Sequence, residues 1–149
     1  LLRRVAARPA VDVLKLLDAV IFNVIAGNAD AHGKNFSILY DDEGPRLAPL
    51  YDLLATVAYP DLSAKFAMKI GRRATLAELD AKGWTAFAAD AGLGLPLLRR
   101  RVSDICERVG AQIPTTVAAL SQSDFDGDAV ARFGAMIGER LVVCAGSVK

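Results

Sequence analysis

The chain of 149 residues has a length typical of one domain, and its hydrophobic content of 53% is sufficient for a single core. Eighteen basic and seventeen acidic residues leave a formal net charge of +1, which provides no general field to attract nucleic acid. Two cysteines without a CxxC pair and a single histidine indicate neither a zinc site nor a disulfide framework, so we expect reduced thiols in a cytoplasmic protein.

The first predicted element is a long helix from Val11 to Ala26. Apolar residues recur there with helical spacing, and charged residues interrupt one side, which argues against a membrane span. Gly27 follows directly, at the position where a left-handed helix stop favours glycine. The next ten residues, NADAHGKNFS (28–37), contain the only histidine and should form a polar loop at the edge of buried structure.

A short hairpin and a series of helices follow this loop. Residues Phe36 to Tyr40 have the composition of a strand, DDEG that of a turn, and PRLAPLYD that of a returning strand. Thr75 and Glu78 have capping-box spacing, and helical periodicity predicts further helices at Trp84–Ala91, Leu97–Val109 and about Asp128–Ala145. The predicted fold class is therefore mainly α with a small β-hairpin element.

Three polar residues around the hairpin suit phosphate chemistry. Asp30 and Asn35 are five residues apart in one loop, and Asp52 follows the hairpin. Magnesium takes hard oxygen ligands and commonly binds one or two protein groups together with nucleotide phosphates, so Asn35 and Asp52 facing each other would suit it. Asp30, outside the metal shell, would orient an attacking hydroxyl and accept its proton.

The stretch FNVIAGNADAHGKNFSILY, followed by LAPLYDLLAT and FAMKIG, resembles the C-terminal kinase domain of HipA-like serine/threonine kinases, the toxins of bacterial toxin–antitoxin systems. The order of aspartate, asparagine, hairpin and aspartate also matches the catalytic loop and DFG motif of protein kinases. The resemblance implies a protein-kinase-like C-terminal lobe over residues 1–149, with ATP and Mg²⁺ as cofactors. It assigns Asp30 as the catalytic aspartate and Asn35 and Asp52 as metal ligands.

The resemblance leaves the roles of His32 and Lys34 open between catalysis and phosphate binding. Ordinary protein kinases have a lysine two residues after the catalytic aspartate, where this chain has His32, and its lysine comes later, at Lys34. Either side chain would neutralise charge that develops on the phosphoryl oxygens.

Partners are implied by the resemblance alone. Related kinases phosphorylate aminoacyl-tRNA synthetases and are restrained by a DNA-binding, helix-turn-helix (HipB-like) antitoxin, so a synthetase-like protein substrate and such an antitoxin are expected here. We expect no direct nucleic-acid binding by this chain. The residues before Asn28 cannot supply the phosphate-covering loop and strand lysine of a complete kinase. We therefore expect the chain to be a C-terminal lobe without its N-terminal lobe, nearly inactive alone.

Each candidate also has a structural interpretation. Asp52 could be a helix N-cap before LLAT, Asp30 and Asn35 could form an Asx-type turn, and His32 could be a loop histidine with its hydrogen bonds satisfied. The alternative for the whole chain is a non-catalytic, kinase-derived interaction module that docks an antitoxin or a second protomer through its apolar surface.

The remaining motifs are expected to be structural. Asn28 should shape the loop by local hydrogen bonding, and Gly33 by its permissive backbone. The stretch DFDGDA (124–129) lacks the glutamate of a calcium loop and is interpreted as a helix start. Trp84 and Phe87 are expected in the core, and FAMKIG (66–71) should be a strand or extended segment.

Overall fold

The computed structural model describes all 149 residues as five helices and one two-stranded hairpin, so the fold is mainly α, as predicted. The helices are α1 (Leu2–Val5), α2 (Pro9–Ala26), α3 (Ala81–Ala91), α4 (Leu95–Ser121) and α5 (Gly127–Gly146). Antiparallel strands β1 (Ile38–Leu39) and β2 (Arg46–Leu47) form the hairpin, with Ile38 opposite Leu47. None of the helices is both long enough and apolar enough to cross a membrane.

Helix α2 is the centre of the fold. It packs against α1, α4, α5 and β2, and its residues Leu17, Ile21 and Ile25 are almost completely buried. Trp84 from α3 joins the same core and meets Phe87 edge to face, with ring centroids 6.1 Å apart. Burial of one face of α2 by several elements gives the loop that leaves its C-terminus a rigid support.

Helix α4 is longer than the sequence indicated. We predicted its end at Val109, but it continues through Pro114 to Ser121. The added turns pack against α5, where Gly134 permits close approach: a Cβ on this glycine would lie 2.6 Å from Val117 Cγ2. The prediction was wrong because tertiary packing against α5, rather than a strong apolar pattern, supports the second half of α4.

The start of α3 also differs from the expectation. Thr75 Oγ1 accepts a hydrogen bond from the Glu78 backbone N–H at 3.3 Å, but this contact closes a turn and not the first turn of a helix. The helix begins at Ala81, and Asp80 is its N-cap, accepting from Gly83 N–H at 2.7 Å. FAMKIG, expected as a strand or an extended segment, forms no strand, and its only β-bridge joins Ile70 to Arg73.

Other boundary predictions are confirmed. Gly27 and Gly92 both end helices in the left-handed conformation. Asp126 within DFDGDA is the N-cap of α5, as expected for a helix start. Cys106 and Cys144 are both free and buried.

Candidate active site

Arg140 of α5 binds the last turn of α2, directly before the candidate loop. Its guanidinium donates hydrogen bonds to the carbonyl oxygens of Val24 at 2.7 Å and Ile25 at 3.1 Å, in the last turn of α2. These carbonyls have no partner within the helix, so the cation caps the negative end of its dipole. Burial lowers the pKa of Arg140. Nothing in the sequence pattern marked this arginine, which lies more than a hundred residues from its partners.

A second segment, which follows the hairpin, holds the loop from the side. Thr56 Oγ1 donates to the Gly27 carbonyl at 3.0 Å and accepts from Ala29 N–H at 2.7 Å. Ala67, within FAMKIG, donates from its backbone to the Ala29 carbonyl at 3.0 Å. FAMKIG is therefore part of the loop's support. A cavity of about 280 Å³ lies beside FAMKIG and the loop, and its lining includes Phe36, Met68 and Lys69.

Asn28 shapes the loop as expected, whereas Gly33 does not. The Asn28 side-chain oxygen accepts from Asp30 N–H at 3.0 Å, which closes an Asx turn. Gly33 has no positive φ, and a Cβ there would meet no atom within 4 Å. Its position in a 3₁₀ turn, Gly33–Asn35, therefore requires no glycine-specific backbone conformation.

The structure brings Asn35 and Asp52 into contact, with the amide nitrogen of Asn35 facing the Asp52 carboxylate. Asn35 Nδ2 donates to Asp52 Oδ2 at 2.8 Å and to the Asp30 carbonyl at 3.1 Å, and Asn35 as a residue is 9% exposed. Asp52 itself is exposed and has a left-handed backbone with φ +57°. It is not a helix N-cap, because the next helical turn begins at Thr56 after Ala55.

Asp30, His32 and Lys34 lie on the open side of the loop. The Asp30 side chain is 60% exposed, and its carboxyl oxygen is 3.8 Å from His32 Nε2. His32 Nδ1 is buried and has no hydrogen-bond partner within the protein. Lys34 is exposed and makes no ion pair, while its carbonyl accepts from Tyr51 at 3.0 Å. The open side thus presents one carboxylate and one free cation.

The side chains of Asn35 and Asp52 fit a divalent cation. A carboxylate and an amide oxygen are hard donors, and magnesium commonly combines one or two such ligands with water and phosphate. No group of three or more His, Cys, Asp or Glu residues could hold a metal by itself. Asn35 Nδ2 donates to both Asp52 and the Asp30 carbonyl, whereas Asn35 Oδ1 accepts no hydrogen bond and is free to act as a ligand. The pair therefore suits a cation that shares its coordination sphere with a phosphorylated ligand.

The domain is mainly α, and a polar loop after a buried helix meets an aspartate across a hairpin. This is the architecture of a protein-kinase C-terminal lobe. Residues 1–117 match the family model of the HipA-like C-terminal domain. The chain belongs to this family, which confirms the resemblance seen in the sequence.

Two similar proteins are named as kinases. The chain is 59% identical over 140 residues to "Putative kinase Y4mE" of Sinorhizobium fredii, an alignment covering 94% of this chain and 33% of that protein. It is 34% identical over 113 residues to the serine/threonine-protein kinase toxin HipA of Shewanella oneidensis, covering 74% and 26% respectively.

A solved structure agrees with these alignments. The complex of HipA, HipB and operator DNA from Shewanella oneidensis contains a chain that superposes with a TM-score of 0.85 at 29% identity. The match covers 94% of this chain and 33% of that chain. The chain thus spans about a third or less of the length of these relatives.

Proposed function

We propose that the chain is the C-terminal catalytic lobe of a serine/threonine-protein kinase toxin that transfers the γ-phosphate of ATP to a protein hydroxyl. The observation that carries the proposal is the contact between Asn35 and Asp52 beside the open carboxylate of Asp30. Phosphoryl transfer depends mainly on positioning and charge neutralisation, and this cluster offers groups for both.

Asp30 is the residue that orients the attacking hydroxyl. Its carboxylate is exposed to an incoming protein chain, and the hydrogen bond from Asn35 to its carbonyl fixes the backbone beneath it. A positioned carboxylate within reach of the hydroxyl can accept its proton as the new bond to phosphorus forms. Asp30 therefore acts as positioner and proton acceptor.

Asn35 and Asp52 would hold Mg²⁺ through their side-chain oxygens. When bound, magnesium supplies positive charge that offsets the negative charge of the nucleotide phosphates. Lys34 has no acidic partner, so its ammonium group is available to the same phosphates. His32, whose Nδ1 lacks a partner, is the second candidate for phosphate contact.

The rest of the proposal concerns the protein that contains this chain. The lobe that covers the phosphates, with its strand lysine, would lie in the two thirds of the relatives' length that the chain does not span. By analogy with the Shewanella protein, whose structure is a complex of HipA with HipB and operator DNA, we propose a HipB-like, helix-turn-helix antitoxin as partner in a type II system in the cytoplasm. An aminoacyl-tRNA synthetase is the proposed substrate, and the net charge of +1 fits a chain that leaves DNA contact to the antitoxin.

The test is transfer of labelled γ-phosphate by the full-length protein that contains this chain, with Mg²⁺ and a panel of aminoacyl-tRNA synthetases. Asp30→Asn and Asp52→Asn remove one carboxylate each at constant size. Asp61→Asn is the matched control, because Asp61 is exposed in the same half of the chain and forms no ion pair.

We expect Asp30→Asn and Asp52→Asn to lower the transfer rate by roughly a hundredfold or more, since each removes a group used in the transition state. Asp61→Asn should retain the wild-type rate. If the folded wild-type protein transfers no phosphate to any synthetase or to itself, the kinase proposal fails and the interaction-module alternative replaces it.

A further inference from the structure

The buried side chain of Asn28 links the two carboxylates of the candidate active site. It is 3% exposed, and each of its polar atoms has a partner. Asn28 Nδ2 donates to the Asp52 carbonyl at 2.9 Å and to Asn23 Oδ1 at 3.0 Å, while Asn28 Oδ1 accepts from Asp30 N–H at 3.0 Å. One amide therefore contacts the backbone of both aspartates.

The orientation of this amide is fixed by its neighbours. A backbone carbonyl can only accept and a backbone N–H can only donate. Reversing the Asn28 amide would place its oxygen against the Asp52 carbonyl and its NH₂ group against the Asp30 N–H, leaving both contacts repulsive. Asn35 also contacts both aspartates, but it meets the Asp52 carboxylate, whereas Asn28 meets the backbone of both.

Asp52 has an uncommon backbone conformation. Its φ of +57° is left-handed, a region that residues other than glycine adopt only as single residues. Such a conformation persists where surrounding contacts hold it. Asn28 donates a hydrogen bond to the Asp52 carbonyl, and Asn35 donates one to the Asp52 carboxylate. Both the backbone and the side chain of Asp52 are therefore fixed in the left-handed conformation.

We propose that Asn28 is a positioning residue, which holds Asp52 in its left-handed conformation so that the carboxylate faces Asn35, and fixes the backbone of Asp30 in the same register. This inference rests on the proposed function and extends it, because Asn28 touches neither nucleotide nor substrate. Residues behind a metal ligand that fix its orientation change metal affinity by roughly 10–100-fold when they are replaced.

Two substitutions separate the contacts of Asn28 in the full-length protein. Asn28→Leu has a similar size and removes every hydrogen bond. Asn28→Ser keeps a hydroxyl that can accept from Asp30 N–H two residues on, but this side chain is too short to reach the Asp52 carbonyl. The serine variant is smaller and polar, so it provides a second test if the leucine variant does not fold.

Ser147→Ala is the control for loss of stability alone. It removes the hydrogen bond from Trp84 Nε1 in α3 to Oγ of Ser147, the C-cap of α5, 2.8 Å long. This substitution leaves a buried donor unpaired and so destabilises the fold, and none of the candidate-site residues hydrogen-bonds to it.

Two quantities are measured on each folded variant. The first is the affinity for Mn²⁺ in the presence of a non-hydrolysable ATP analogue, read by electron paramagnetic resonance and independent of catalysis. The second is the Mg²⁺ concentration that gives half-maximal phosphoryl transfer. We expect both Asn28 variants to bind Mn²⁺ roughly 10–100-fold more weakly and to need correspondingly more Mg²⁺, while Ser147→Ala stays within twofold of wild type.

The outcomes separate the two proposals. If wild type transfers phosphate and the Asn28 variants match Ser147→Ala in both measurements, Asn28 is only structural and this inference is wrong while the kinase function stands. If folded wild type neither binds Mn²⁺ with the analogue nor transfers phosphate, the proposed function fails and the positioning role fails with it.

Discussion

Replacing Gly27 by alanine should destabilise the protein at the base of the candidate active site. Gly27 ends α2 with φ +77°, and a Cβ there would lie 2.1 Å from Val57 Cγ2 and 2.9 Å from Arg140 Nε. The left-handed conformation costs alanine about 1–2 kcal/mol, and overpacking typically adds about 1–3 kcal/mol. We therefore expect Gly27→Ala to lower the free energy of unfolding by about 2–5 kcal/mol.

The assay is urea unfolding of the full-length protein, and Gly33→Ala is the matched control in the same loop. Gly33 has no positive φ, and a Cβ there would meet nothing within 4 Å, so alanine should change the unfolding free energy by less than about 0.5 kcal/mol. Equal stability of the two variants would refute the reasoning, since it would mean that Gly27 is neither left-handed nor packed against α5.

Three further predictions concern the framework of the site. Arg140→Met should lower the unfolding free energy by about 1–3 kcal/mol in thermal or urea unfolding, because two α2 carbonyls lose a charged donor; an unchanged midpoint would contradict this cap. The hydrogen bond from Arg73 lowers the pKa of Asp80, so the pair's stabilisation is present above the unfolded pKa of about 4 and lost as pH falls through the lower folded value. In urea titrations from pH 7 to 2, the stability gap between wild type and Asp80→Asn should therefore close in acid, and a gap that widens would exclude the pairing. Cys106 and Cys144 are both buried, so both thiols should react with an aromatic disulfide reagent only on unfolding; rapid native labelling would contradict their burial.

The sequence predicted those parts of the fold that have a local signal. The apolar period of α2 and the glycine after it located both the helix and its end. The second half of α4 has no such signal, because its support comes from α5 through Gly134. The capping-box spacing of Thr75 and Glu78 was misleading, since Asp80 provides the actual N-cap nearer the helix.

The sequence predicted the loop residues of the candidate site but not the residues of other elements that support the loop. The proximity of Asn35 and Asp52 followed from a hairpin between them, and the structure has that contact. Thr56 and Arg140 reach the loop from other elements, so no spacing in the sequence could indicate them. The left-handed backbone of Asp52 was also hidden, because aspartate, unlike glycine, does not mark such a conformation. The catalytic and metal-binding roles remain predictions.

The most direct measurement for the central claim is the location of Mn²⁺, found by anomalous scattering, in crystals of the full-length protein grown with a non-hydrolysable ATP analogue. We expect a metal in direct contact with an Asp52 carboxylate oxygen, the Asn35 amide oxygen and the analogue's phosphates, with the Asp30 carboxylate outside its coordination sphere. A nucleotide bound with its metal on other residues, while Asn35 still donates to Asp52, would contradict it.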